Sequence, residues 1–127
     1  MIETEENYMQ VFTEAVNSTA ESEDFFLMAN LSPRTTGLPF VVWVSPKGGA
    51  AHDIRVKVSR GSRVTPSDLI PVAIRPEIRV IGNAELSSRD LEMLRQWVEL
   101  NRDALIRFWD GDIEYTEDLL AELKRLD

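Results

Sequence analysis

From Ser87 to Trp109 (SSRDLEMLRQWVELNRDALIRFW) dry and wet positions alternate with the period of a helix. Leu91, Leu94, Val98, Asn101, Leu105 and Phe108 recur at three- and four-residue steps and share one face, while Asp90, Glu92, Glu99, Arg102, Asp103 and Arg107 mostly fall elsewhere. Ser87 or Ser88 offers an N-cap oxygen, Asp90 and Glu92 suit the positive end of the dipole, and Asp110-Gly111 stops the helix. A last helix is predicted beyond Asp110-Gly111-Asp112, capped at Thr116, with Leu119, Leu120, Leu123 and Leu126 as its stripe.

Upstream the period changes from helical to two. Phe40 to Ser45 (FVVWVS) is dense in β-branched and aromatic residues, as in a strand buried on both faces. Pro46-Lys47-Gly48-Gly49 reads as a turn. Asp53 to Ser59 then alternates, with Ile54, Val56 and Val58 on one side and Arg55, Lys57 and Ser59 on the other, and it should pair with Phe40 to Ser45 as an antiparallel hairpin. Leu69 to Arg75 is a third strand in which Pro71 suits an edge or a bulge, and Glu77 to Ile81 is a fourth. Residues 29 to 39, rich in turn formers, read as an irregular lead-in. Tyr8, Val11, Phe12, Ala15 and Val16 make a narrow helical stripe between Glu3 and Ser18, followed by a polar linker from Asn17 to Asp24 and a short apolar run, Phe25 to Met28. The expected class is α+β: a small antiparallel sheet of three to four strands covered by the long helix, with a short last helix and an N-terminal helical arm. Residues 1–28 form the arm and 29–127 a single domain, in which Trp97 and Trp109 belong to the core or its edge.

Composition narrows the function more than it changes the fold. At 127 residues and 43% hydrophobic content the chain suffices for one core. No apolar run approaches a bilayer span, and the acidic start MIETEENYMQ is unlike a secretory signal, so a cytoplasmic protein with no membrane partner is expected. Cysteine is absent, which removes disulfides, thiol catalysis and thiolate metal sites. The net charge of −8 is unevenly spread. Residues 1–30 hold Glu3, Glu5, Glu6, Glu14, Glu21, Glu23 and Asp24 and no Lys or Arg. The middle, to residue 85, holds eight bases against four acids, and the remainder eleven acids against six bases. A basic middle between acidic ends implies internal pairing or a polarised surface.

The stretches Asn30-Leu31-Ser32-Pro33-Arg34-Thr35-Thr36-Gly37-Leu38-Pro39, Val42-Trp43-Val44-Ser45, His52-Asp53-Ile54-Arg55-Val56-Lys57-Val58, Trp97-Val98-Glu99-Leu100-Asn101 and Trp109-Asp110-Gly111 resemble a family of small bacterial proteins of unknown function. The resemblance runs from about Ala29 to Leu126. The helix with its short acidic tail is also weakly similar to domains encoded beside toxin-antitoxin components. The arm falls outside it, and Met28 sits where such proteins would start. The resemblance brings a fold expectation and no catalytic residues.

Candidate chemistry is sparse. His52 is the only histidine and adjoins Asp53, but neighbours on a strand point to opposite faces and no thiol nucleophile exists to activate, so a hydrogen bond within the turn is expected in place of catalysis. One His and no Cys leave too few ligands for zinc, and Asp110-Gly111-Asp112-Ile113-Glu114 lacks the remaining positions of a calcium loop. Gly48-Gly49 lacks the phosphate-loop Lys-Ser/Thr. No cofactor or metal is expected. Arg55 and Lys57, with Arg60, Arg63, Arg75 and Arg79 nearby, form a cationic strand face without an aromatic stacking pattern, better suited to carboxylates than to nucleic acid. Asn101 on the apolar stripe either bonds a loop carbonyl or marks an interface seam.

The reading reached is a non-enzymatic, regulatory or inhibitory protein-binding module, such as a phage or mobile-element inhibitor of host defence of the anti-CRISPR type. Its expected contacts are Glu3, Glu5, Glu6, Glu14, Glu21, Glu23, Asp24, Arg55, Lys57, Arg60 and Arg63. The alternative is an RNA- or DNA-binding protein or toxin-antitoxin component using the basic strand face. A homodimer is left open.

Overall fold

The computed structural model describes residues 28–127. The expected helix over 3–18, the linker over 17–24, residues 25–27 of the apolar run and the acids Glu3, Glu5, Glu6, Glu14, Glu21, Glu23 and Asp24 lie outside the described residues. Within them the order is β1 (Ala29–Leu31), α1 (Pro33–Thr36), β2 (Val41–Val44), β3 (Arg55–Ser59), a 3-10 turn (Pro66–Asp68), β4 (Ile70–Ala73), β5 (Arg79–Val80), α2 (Ser88–Asp110) and α3 (Thr116–Glu122). The strands form one antiparallel sheet in sequence order, β1-β2-β3-β4-β5. The class is α+β, as the grouping of strands and helices implied.

The sheet has five strands, not three to four. The added one, β1, lies in the stretch read as an irregular lead-in, because three residues are too few to show a period and the turn formers begin only at Ser32. Ser32 and Gly37 then cap the single helical turn α1. Pro71 sits inside β4, yet its side of the strand behaves as an edge. Its carbonyl accepts from Ile81 N–H, so its missing N–H falls beyond the two-residue β5.

Helix α2, about 34 Å long at 1.5 Å per residue, lies against one sheet face. Ser87 Oγ accepts from Asp90 N–H, and Gly111 closes the far end at φ 89°. Leu94, Trp97, Val98, Ala104, Leu105, Phe108 and Trp109 are buried with Val42, Val44, Ile54, Val56, Val58, Val72 and Ile74 in one core. Full burial of each such aliphatic side chain contributes about 1.5–3 kcal/mol. Among the described residues no helix is long and apolar enough to cross a membrane.

The last helix is shorter than expected. Tyr115, not Thr116, is its N-cap, and it stops at Glu122, so Leu126 lies beyond it. Leu119 enters the core, whereas Leu120 is 43% exposed, because a stripe anchored by a single buried turn leaves its neighbour outside. The tail is held instead by polar contacts. Asn101 Nδ2 donates to the Lys124 carbonyl (2.9 Å), its Oδ1 accepts from Lys124 N–H (2.7 Å), and Leu126 N–H donates to the Thr36 carbonyl (2.8 Å). Gly37, at φ 81°, passes so close that a Cβ there would lie 2.0 Å from the Leu126 carbonyl oxygen.

Candidate functional site

Strand alternation assigns the middle strands two chemistries. Even-numbered residues of β2, β3 and β4 face α2, and odd-numbered ones face away. On the far side Arg55 lies opposite Ala73, which lies opposite Arg79. One row along, Asn30, Trp43, Lys57 and Pro71 follow one another across four strands, and the next row pairs Val41 with Ser59. This side is not simply wet: Val41, Trp43 and Leu69 form a second buried cluster, with Met28 and Val64 packed on it.

Trp43 is its centre. The indole is 2% exposed, and its Nε1–H donates to Ser59 Oγ (2.8 Å), whose own hydroxyl donates to the Gly61 carbonyl (2.6 Å). The indole is therefore fixed beneath this strand surface, beside the half-buried cations Arg55 and Lys57. Trp43 is not among the contacts expected from sequence, which shows no aromatic stacking pattern at the outer positions. Only the register that places it opposite Lys57 reveals its side.

The structure divides the six bases expected to act together. Arg55, Lys57 and Arg79 share the far face. Arg75 is held by Asp53 through two 2.8 Å bonds, Nε to Oδ2 and Nη2 to Oδ1. Those bonds, then the Ile54 backbone N–H, lower the Asp53 carboxyl to about 2. Arg60 turns toward Asp90 at the start of α2, 3.8 Å away, and Arg63 is exposed in the following loop. Among the described residues Arg55, Arg63 and Arg79 make no ion pair.

At one end of this face the loop between β2 and β3 wraps over the end of α2, tied by Lys47 N–H to the Trp109 carbonyl (2.9 Å). His52 stacks on Trp109, with ring centroids 5.7 Å apart, and its Nδ1–H donates to the Asp53 carbonyl at 2.7 Å. This is the hydrogen bond within the turn that the sequence suggested. The cleft between Trp43, His52, Arg55, Lys57 and Trp109 holds about 10 Å³, room for one water. It is the seam of a surface rather than a small-molecule pocket. A shallow groove of about 480 Å³ elsewhere mixes Arg34, Arg89 and Arg125 with Asp90. Arg125 there is already engaged by the Arg34 carbonyl and Asp127. Among the described residues no three His, Asp or Glu side chains gather as a metal would require.

No family model matches the chain, and neither the curated proteins nor the solved structures compared with it contain a match.

Proposed function

We propose that this chain is a non-enzymatic protein-binding module, regulatory or inhibitory in effect, that receives an acidic segment on the sheet face turned away from α2. The observation that carries this reading is the Trp43–Lys57 cross-strand pair, flanked by Arg55 and Arg79 and bordered by Val41 and Leu69. The guanidinium and ammonium groups of Arg55, Arg79 and Lys57 match carboxylates, and the buried Val41–Trp43–Leu69 cluster fixes the strands that carry them. Residues 1–27 carry seven acids and no Lys or Arg, a charge that would suit a basic groove such as that of a nucleic-acid enzyme in the inhibitory form of this role. Nucleic acid is the rival occupant of the cationic face. It is disfavoured because the Trp43 indole is buried and bonded along its edge, whereas single strands are held by bases stacked on accessible rings.

The test is retention from nuclease-treated host extract on the immobilised full chain at low salt, compared with Arg55→Glu/Lys57→Glu of unchanged melting temperature. The account expects a protein whose retention falls at least about tenfold in the variant, roughly 1.4 kcal/mol. If the variant retains the same protein equally well, or only RNA or DNA added back is held in a steeply salt-dependent way, the reading fails.

A further inference from the structure

We infer that residues 1–27 of this chain dock in cis on that same cationic sheet face. The inference rests on the reading of the face as the binding surface and names what occupies it in the isolated protein.

The chain itself shows where the arm joins. Met28, the first described residue, packs on the Val41–Trp43–Leu69 cluster and lines the cleft beside Trp43, Arg55 and Lys57. The residue after the arm is thus already seated on the proposed surface. Phe25, Phe26 and Leu27 immediately precede it, and their apolar side chains need burial close by. Charge selects the same surface: Glu3, Glu5, Glu6, Glu14, Glu21, Glu23 and Asp24 are accompanied by no Lys or Arg, and the far face presents Arg55, Lys57 and Arg79, with exposed Arg63 beside it. On the helix layer Arg95, Arg102 and Arg107 are already paired with Glu92, Glu99, Asp103 and Glu122, whereas among the described residues Arg55, Arg63 and Arg79 make no ion pair.

Length is sufficient. Twenty-seven residues reach about 90 Å when extended, and a helix over 3–18 would span about 24 Å. The five strands are only about 19 Å across at 4.8 Å spacing. Tethering through Met28 also raises the local arm concentration to about the millimolar range, which favours the chain's own arm over a second copy's at ordinary protein concentrations.

The chain has three lysines, Lys47, Lys57 and Lys124, which makes zero-length carbodiimide coupling a direct readout. Coupling forms an amide between Nζ and an activated carboxyl, and peptide mapping reports which acid was close. An equal mixture of ¹⁴N- and ¹⁵N-labelled full-length chains separates joining within one chain from joining between two. The expected product is Lys57 joined within one chain to an acid among Glu3–Asp24, falling at least about fivefold in 1 M salt or in full-length Phe25→Ser/Phe26→Ser. Lys124, on the helix layer, should not join the arm. Mixed-isotope products alone would assign the face to a second copy. Equal coupling at Lys124, or none at Lys57 while other pairs couple, would overturn the docking. If Lys57 fails to couple and Arg55→Glu/Lys57→Glu still abolishes partner retention, this inference falls and the proposed function stands. The opposite pair of results leaves the docking and removes the function.

Discussion

Asp53 and Arg75 lie two residues outside β3 and β4, past the Arg55–Ala73 pair, and their two-bond fork engages one of the six bases. The Arg75 hydrogen bonds, and secondarily the Ile54 N–H, hold Asp53 at about 2, below its ordinary value near 4. A carboxyl depressed in the folded state contributes stability above its unfolded pKa and loses it as pH falls through the folded one. The contribution is therefore present at neutral pH and fades between about pH 4 and 2. Glu92, held at about 2 by Arg95 and then Gln96, fades over the same window. Both pairs are exposed, so solvent keeps the effect small. In Arg75→Gln the Asp53 titration followed by NMR should move up toward its ordinary value, and the gap in urea midpoint from the native chain should narrow as pH falls from 5 to 2. An unmoved Asp53 titration would mean that the fork is not kept in solution.

At the scale of elements, legibility followed signal length. Helix α2 could be read because its stripe persists over six turns and both caps are written in Ser87 and Gly111. The pairing of β2 with β3 was also readable from alternation. Its register was not, because Pro46-Lys47-Gly48-Gly49 suggests a tight hairpin, whereas the strands are joined by residues 45–54. That register is what sets Trp43 opposite Lys57, so the centre of the candidate site stayed hidden while Arg55 and Lys57 were visible. Strand β1 and the helical turn α1 were too short to show a period. The tail after α3 depends on one side chain far away in sequence, Asn101, whose position on an apolar stripe was the only clue. Asn101→Ala leaves the Lys124 N–H and carbonyl without those bonds, at about 1–3 kcal/mol, against a gain of about 0.5 kcal/mol in helix propensity. Hydrogen exchange should accelerate at Lys124 and Leu126, and the urea midpoint should fall. Unchanged protection at both amides would show that the tail is held by something else.

For the whole molecule, the charge of −8 conceals a division of labour. In the helix layer Arg95, Arg102 and Arg107 pair with Glu92, Glu99, Asp103 and Glu122, the sheet keeps cations on the face turned from that layer, and residues 1–27 carry acids and no Lys or Arg. On the proposed reading such a surface discriminates by charge sign. The most direct measurement places a photoreactive benzophenone amino acid in place of Arg79, on the far sheet face, and in a separate full-length chain in place of exposed Leu120, on α3. Irradiation in host extract should yield a discrete protein adduct from position 79 and none of that mass from position 120. The same adduct from position 120, with none from 79, would contradict the account.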